Sequence, residues 1–314
     1  MSSDLIESIE NALPTMSKGQ KRIAAYITEH CEKAAYMTAS RLGEQAGVSE
    51  STVVRFAIEL GFDEYWITEH APMPKDFVQR FAGPADDWQT EGLSWEQVDD
   101  YLNLAEQLQS EYADQIKISI GFEIEYLAGF EETTHAFLDQ YGKKTQHNIL
   151  SVHYLQDDQG KFWGIDYSTD ELQAGFADEL KTPQLLYQRY LKTVLASARC
   201  DLGSFGPDRL GHLSLIKKYQ DYFGLPEAFD RSCQQLIDEI MTTASQRQLS
   251  LDFNSAGLYK KYCNDFYPGI QIALAALNAG VPLIFGSDAH GVDEVGRGWH
   301  GMKNFLKVLD TLKR

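Results

Sequence analysis

Cysteine is scarce in this chain. Its 314 residues hold four, Cys31, Cys200, Cys233 and Cys263, and no two stand at CxxC spacing. A disulfide framework and a cysteine zinc site are both disfavoured, and a reducing cytoplasm fits best. Long apolar runs are also missing: none reaches the roughly 18 residues of a membrane helix. The best stretch, Ile270 to Phe285, is broken by Gln271, Asn278, Gly280 and Pro282. The opening residues, MSSDLIESIE, have neither the basic nor the apolar part of a secretory signal. Basic residues are outnumbered, with 28 Lys and Arg against 46 Asp and Glu. Taken whole, a net charge of −18 repels nucleic acid.

The imbalance is uneven. Residues 1–60 carry six basic and eight acidic groups, a net of −2, so the remaining residues carry −16. A hydrophobic fraction of 43% excludes disorder and predicts a full globular core.

The first sixty residues read as short helices. Ser17 and Gln20 have capping-box spacing ahead of Arg22 to Ile27. A second helix fits Ala39 to Ala46, Gly47 suits a tight turn, and Ser49 suits the cap of a third helix, Glu50 to Leu60. From Tyr65 onward the pattern changes. Short apolar or β-branched runs stand at Trp66–Thr68, Ile116–Phe122, Ile149–Val152, around Leu210, at Leu249–Phe253 and at Pro282–Gly286. Tyr187–Ala198, Phe229–Thr243 and Ile270–Asn278 have helical periodicity. Alternation of strand and helix predicts an α/β fold with a parallel sheet, open or closed into a barrel.

Two sets of residues carry chemistry. In ASRLGEQAGVSESTVVRFAIELG, residues 39–61, Leu42, Ala46, Val48, Val53 and Val54 can form the core between two crossing helices. Ser49, Ser51, Thr52 and Arg55 then lie at the start of the second helix, where a recognition helix meets base edges and phosphates. Lys18, Lys21 and Arg22 could touch the DNA backbone. The bland alternative is a small helical bundle with solvated charges.

The second set lies at the C-terminal ends of the strand-like runs, where parallel α/β barrels hold their functional groups. It comprises His70, Glu123, His153, His212, Asn254, Asp288 and His290. Any one of these histidines is more often a hydrogen-bonded core residue than a ligand. Four of the chain's eight at equivalent positions, beside two carboxylates, weaken that reading. Mixed imidazole and carboxylate donors suit Zn, Mn or Fe. Such metals activate water and hold phosphate oxygens in ester hydrolysis.

Both sets resemble known families. LPTMSKGQKRIAAYI, MTASRLGEQAGVSESTVVRF and ELGF resemble the N-terminal domain of the RpiR family of sugar-phosphate-responsive regulators. That likeness implies a DNA-binding head at residues 1–62 and a homodimer. AIELGFDEYWITEHAPMP, IGFEIEYLAGFE, SVHYL, GIDYSTDEL, RLGHLSL, LDFNSAGLYK and YPGIQIALAALNAGVPLIFGSDAHGVDEVGRG resemble the histidinol-phosphatase branch of the PHP (polymerase and histidinol phosphatase) superfamily. This second likeness implies that residues 63–314 form a distorted (βα)7 barrel with a metal cluster at its mouth. It implies hydrolysis of L-histidinol phosphate to L-histidinol and phosphate in histidine biosynthesis. His70, Glu123, His153, His212, Asp288 and His290 match the family's metal ligands, with Asp288 and His290 the catalytic candidates and Glu123 a bridging carboxylate. Arg209 and Arg297 are candidate phosphate anchors, or equally members of structural ion pairs. Asp166 falls in a matching string without an evident role.

One element of the PHP pattern is missing. Its first strand ends in a His-any-His motif, and this sequence has no such motif anywhere. The barrel therefore lacks its first strand, fewer metal ions are expected, and activity is expected to be impaired. The regulator string VVRFAIELGF also serves as the end of the barrel's first helix, so one helix is expected to serve both parts. Two functions stay open: a metal-dependent phosphatase, or a transcriptional regulator that uses a degenerate barrel to sense a phosphorylated metabolite. A recombinant without function would show itself as insoluble or molten protein.

Overall fold

The computed structural model describes Lys21 and residues 50–59, 61–84, 92–290 and 294–312. Lys21 is helical and exposed. The helices expected at Arg22–Ile27 and Ala39–Ala46, the turn at Gly47, and Ser17, Lys18 and Ser49 lie outside the described residues. Two compact units make up the chain. One consists of Met1–Tyr65, Leu108–Ile118 and Phe285–Arg314, the other of Trp66–Gln107 and Ser119–Ile284.

Eight strands are described, and we number them in chain order. They are β1 (Glu64–His70), β2 (Lys117–Glu125), β3 (Ile149–Ser151), β4 (Tyr154–Gln156), β5 (Phe162–Gly164), β6 (Arg209–Leu210), β7 (Ser250–Asn254) and β8 (Leu283–Gly286). Six of them form a curled, open sheet in the order β1-β2-β3-β6-β7-β8. The β2–β3, β3–β6 and β6–β7 pairings are parallel. Among the described residues the order begins at β1 and ends at β8, which gives a curled half-barrel of the kind an α/β barrel is built from.

Burial explains why these strands read as runs rather than alternations. Ile118 to Ile124 are buried without a break, because helices cover one face of a parallel sheet and core or site groups the other. Gly121 is required there by close approach: a Cβ at that position would overlap the carbonyl of His147.

Local signals set the helix ends. The Ser168 side chain accepts a hydrogen bond from Glu171 N at the start of Thr169–Leu180. Pro183 opens Pro183–Arg199, and Asp230 caps Arg231–Gln246 through Cys233 N. Gly280 closes Ile270–Ala279 in the left-handed conformation, φ 72°. Tyr187, Tyr190, Leu191, Ile237 and Ile240 of two of these helices are fully buried in one core with Ile120 and Phe122.

Differences from the sequence reading are local. The strand expected at Ile116–Phe122 runs on to Glu125. The β4–β5 hairpin was not expected. Its turn is built by Asp157, whose Oδ1 accepts from Gln159 N and Lys161 N, and by Gly160 at φ 77°.

In the other unit, Glu50–Glu59 is a helix whose Val53, Val54 and Ala57 are buried. Phe62 packs on Phe285 and Trp299, with ring centroids 6.3 and 5.7 Å apart.

Candidate metal centre

Parallel pairing brings the C-terminal ends of β1, β2, β3 and β6 to one edge, and the polar residues gather there. His70 is the last residue of β1, and Ala71 N donates to Glu123 O across to β2 at 2.9 Å. Glu123 and Glu125 lie two apart on β2 and so share a face. Glu125 is in register with Ser151 at the end of β3. His153 and His212 stand two positions beyond the ends of β3 and β6. A Cβ at Gly211 would overlap Ser151 Oγ, so glycine leaves that hydroxyl its place.

Glu123 is the hub. It is buried, and its Oε1 accepts from Ser151 Oγ at 2.5 Å and lies 3.0 Å from His212 Nε2. His153 Nε2 is 3.6 Å from Oε1, and His70 Nε2 is 3.6 Å from Oε2. Burial alone would push this carboxyl up, but the imidazoles of His70, His212 and His153 hold it well below the usual carboxylate range. His153 is gripped from behind. Its Nδ1 lies 2.6 Å from Glu125 Oε2, and its backbone N–H donates to Glu125 Oε1 at 2.9 Å. Burial disfavours the imidazolium, yet the carboxylate of Glu125 outweighs it and raises His153 well above its ordinary value.

Asp166 adds a third carboxylate. Its Oδ2 accepts from Lys218 Nζ at 2.9 Å, and its backbone oxygen accepts from the Tyr219 hydroxyl at 2.6 Å. Burial opposes its ionisation. The Lys218 ammonium, followed by His153 and His212, overcomes that and brings Asp166 down to about 2.

These donors suit a divalent metal ion. Ligand atoms of His70, Glu123 and His153 lie within 4.8 Å of one another. Glu125 occupies Nδ1 of His153 and leaves Nε2 facing Glu123, which is how an outer carboxylate fixes a ligating imidazole.

The remaining expected site residues have neighbours of their own. Asp288 and His290 are together in the other unit, with His290 Nε2 3.3 Å from Asp288 Oδ1. Asp288 has a left-handed backbone, φ 50°. Buried Glu294 ties this segment: one oxygen accepts from His290 N, and the other pairs with Arg297 Nη1, both at 2.9 Å. Arg209 is buried against Asp252, 3.5 Å away, with its guanidinium carbon 3.6 Å from the centre of the Trp66 ring. Asn254 is buried at the end of β7, where its amide donates to Asp252 Oδ2 at 3.0 Å. Ser51 and Thr52 are half-buried and Arg55 is exposed on the helix Glu50–Glu59.

Sequence reasoning left out Glu125, Ser151, Lys218 and Glu294. Glu125 had a readable signal, since a residue two positions from Glu123 in a strand faces the same way. Ser151 and Lys218 are joined to the site only by tertiary contact, and Glu294 meets His290 and Arg297 within the other unit.

A curled parallel sheet with imidazoles and carboxylates at its strand ends defines the class of α/β barrel proteins built around a metal centre. Comparison with known proteins narrows this. Residues 40–256 match the PHP domain model, and residues 3–66 match the helix-turn-helix domain model of the rpiR family. A histidinol-phosphatase of Bacillus subtilis is 30% identical over 240 residues, which is 76% of this chain and 86% of that one. The crystal structure of a candidate histidinol phosphatase from Listeria monocytogenes superposes with a TM-score of 0.76 at 37% identity, covering 80% of this chain and 92% of that one. A histidinol phosphate phosphatase from Lactococcus lactis, solved with zinc, L-histidinol and phosphate, shares the fold, with a TM-score of 0.57 at 20% identity over 82% and 85% of the two chains. The chain belongs to the PHP domain family and carries an rpiR-type helix-turn-helix domain ahead of it. No helix among the described residues is long and apolar enough to cross a membrane.

Proposed function

We propose that this chain is a metal-dependent phosphoric monoester hydrolase acting on L-histidinol phosphate in the cytoplasm. The observation that carries the reading is the convergence of His70, His153 and His212 on the buried carboxylate of Glu123. The activity of the Bacillus relative and the ligands of the Lactococcus structure support the choice of substrate.

His70, Glu123, His153 and His212 would hold the ion, which is Zn, Mn or Fe. When bound, it supplies Lewis acidity to the phosphoryl oxygens and lowers the pKa of a water. The chain's own residues do the rest. Glu125 holds the proton on His153 Nδ1 and keeps Nε2 directed at the site. Ser151 fixes the orientation of the Glu123 carboxylate. Lys218 offers a cation beside Asp166 where anionic charge can be balanced. Asp288 and His290 are proposed as further ligands with a catalytic part, and Arg297 and Arg209 as phosphate anchors. Each arginine is paired with a buried carboxylate, Arg297 with Glu294 and Arg209 with Asp252, and the deeper burial of Arg209 favours a structural role for it. Without a His-any-His strand, fewer ions are held and turnover is lower than in relatives that have one.

Purified protein supplied with Mn or Zn should release phosphate from L-histidinol phosphate, and His153→Ala should not. Absence of turnover from a folded, metal-loaded sample overturns the enzyme reading.

A second reading is favoured by the helix-turn-helix match over residues 3–66: DNA binding through Ser49, Ser51, Thr52 and Arg55, by a homodimer. Retardation of duplex DNA by the full chain tests it.

A further inference from the structure

We propose that the helix Glu50–Glu59 is a contested element: Tyr112 and Glu111 clamp the face meant for DNA, so clamp closure and DNA binding exclude each other. The inference rests on the second reading above, that this helix reads DNA.

Both family matches claim the helix. The helix-turn-helix model ends at residue 66 and the PHP model begins at residue 40, so residues 40–66 belong to both. Tyr112 and Glu111 lie inside the PHP match and outside the other. The structure shows which partner the helix has taken. Ser51 and Arg55 stand four apart and therefore share one face. Arg55 Nε donates to the Tyr112 hydroxyl at 2.9 Å, and that hydroxyl donates to the Ser51 carbonyl at 3.3 Å. The guanidinium carbon lies 6.0 Å from the Tyr112 ring centre, and Glu111 Oε1 lies 4.0 Å from Arg55 Nη2. Tyr112 itself is buried, only 2% exposed. The opposite face is committed too, with Val53, Val54 and Ala57 buried.

A recognition helix needs its base-reading face clear, because the helix fills the major groove. Here that face meets a phenol ring, and Glu111 presents a carboxylate to the arginine that would meet a phosphate. The two anions compete for one guanidinium. Arg55 keeps 62% of its side chain in water, so the ion pair is screened and the clamp can be opened. If only the open fraction binds, affinity for DNA falls by that fraction.

The test uses the full chain and a short fluorescent duplex of mixed sequence at low salt, read by anisotropy. Tyr112→Phe keeps the ring and removes both hydrogen bonds, and Glu111→Gln removes the competing charge. The double variant should bind roughly tenfold tighter than wild type, and adding Arg55→Ala should return it to the wild-type level. On wild-type protein, saturating duplex should increase amide exchange across residues 108–118. Equal binding by wild type and double variant overturns the clamp while the DNA reading stands. Failure of both to bind overturns the clamp together with the DNA reading. Unchanged exchange in a saturated complex also overturns the clamp.

Discussion

His153 Nδ1 lies 2.6 Å from Glu125 Oε2, and the backbone N–H of His153 donates to the other oxygen of the same carboxylate. One acidic side chain thus fixes both the ring and the main chain of a candidate metal ligand. This bidentate hold makes Glu125 a positioning residue with a testable effect. Glu125→Gln should lower metal affinity and phosphate release by about 10- to 100-fold while leaving the fold intact. Metal content after dialysis, measured beside turnover and melting temperature, checks it. Full metal occupancy with normal turnover in the variant would refute the role.

The same pair sets a pH dependence. In the metal-free protein Glu125 raises His153 well above its ordinary 6.5, which favours the protonated imidazole. A metal at Nε2 must displace that proton. Metal affinity should therefore rise with pH, by about tenfold per unit for one released proton, until the raised pKa is passed. Calorimetry in two buffers of different ionisation enthalpy counts the proton. No proton release at neutral pH would contradict this.

Asp166 predicts an acid sensitivity of stability. Its pKa falls from 3.8 in the free side chain to about 2 in the folded chain, since Lys218 and the site imidazoles outweigh burial. A depressed carboxyl stabilises the fold above its unfolded pKa, and the benefit is lost as pH falls through the folded value. The contribution is about 2 kcal/mol at neutral pH and should vanish between roughly pH 4 and pH 2. Urea unfolding of wild type and Asp166→Asn across that range should show the difference between them shrinking as acid is added. A constant gap would count against it.

Arg209 and Asp252 form an almost fully buried ion pair. Removing Asp252 takes away the carboxylate that faces the buried guanidinium of Arg209. Asp252→Ala should destabilise by about 3–5 kcal/mol, whereas Arg209→Met with Asp252→Leu should recover most of that. Chemical denaturation measures both. If Arg209→Met instead leaves stability unchanged and raises KM for the phosphate ester, the arginine is a phosphate anchor after all.

Much of the fold was legible along the chain. Each apolar run became a strand of the main sheet; β2, β3, β6 and β7 are largely buried, as continuous apolar stretches in a covered sheet should be, while β1 and β8 are half-buried. The β4–β5 hairpin was not legible, since its strands have three residues each and its turn depends on the Asp157 side chain. The site divides in the same way. Strand-end positions pointed to His70, Glu123, His153 and His212. The partner of Arg209 sits on the neighbouring strand β7, and no spacing along the chain announces it.

The sequence by itself determined the order of strands and helices, the polar residues at the strand ends and the missing His-any-His motif, because these depend on residue type and local periodicity. Only the tertiary structure decided which groups serve one another: Glu125 behind His153, Lys218 on Asp166, Glu294 on Arg297, and Tyr112 on the face of Ser51 and Arg55. Those pairings arise from strand register and packing, which bring residues far apart in the chain within hydrogen-bond distance once the core has formed.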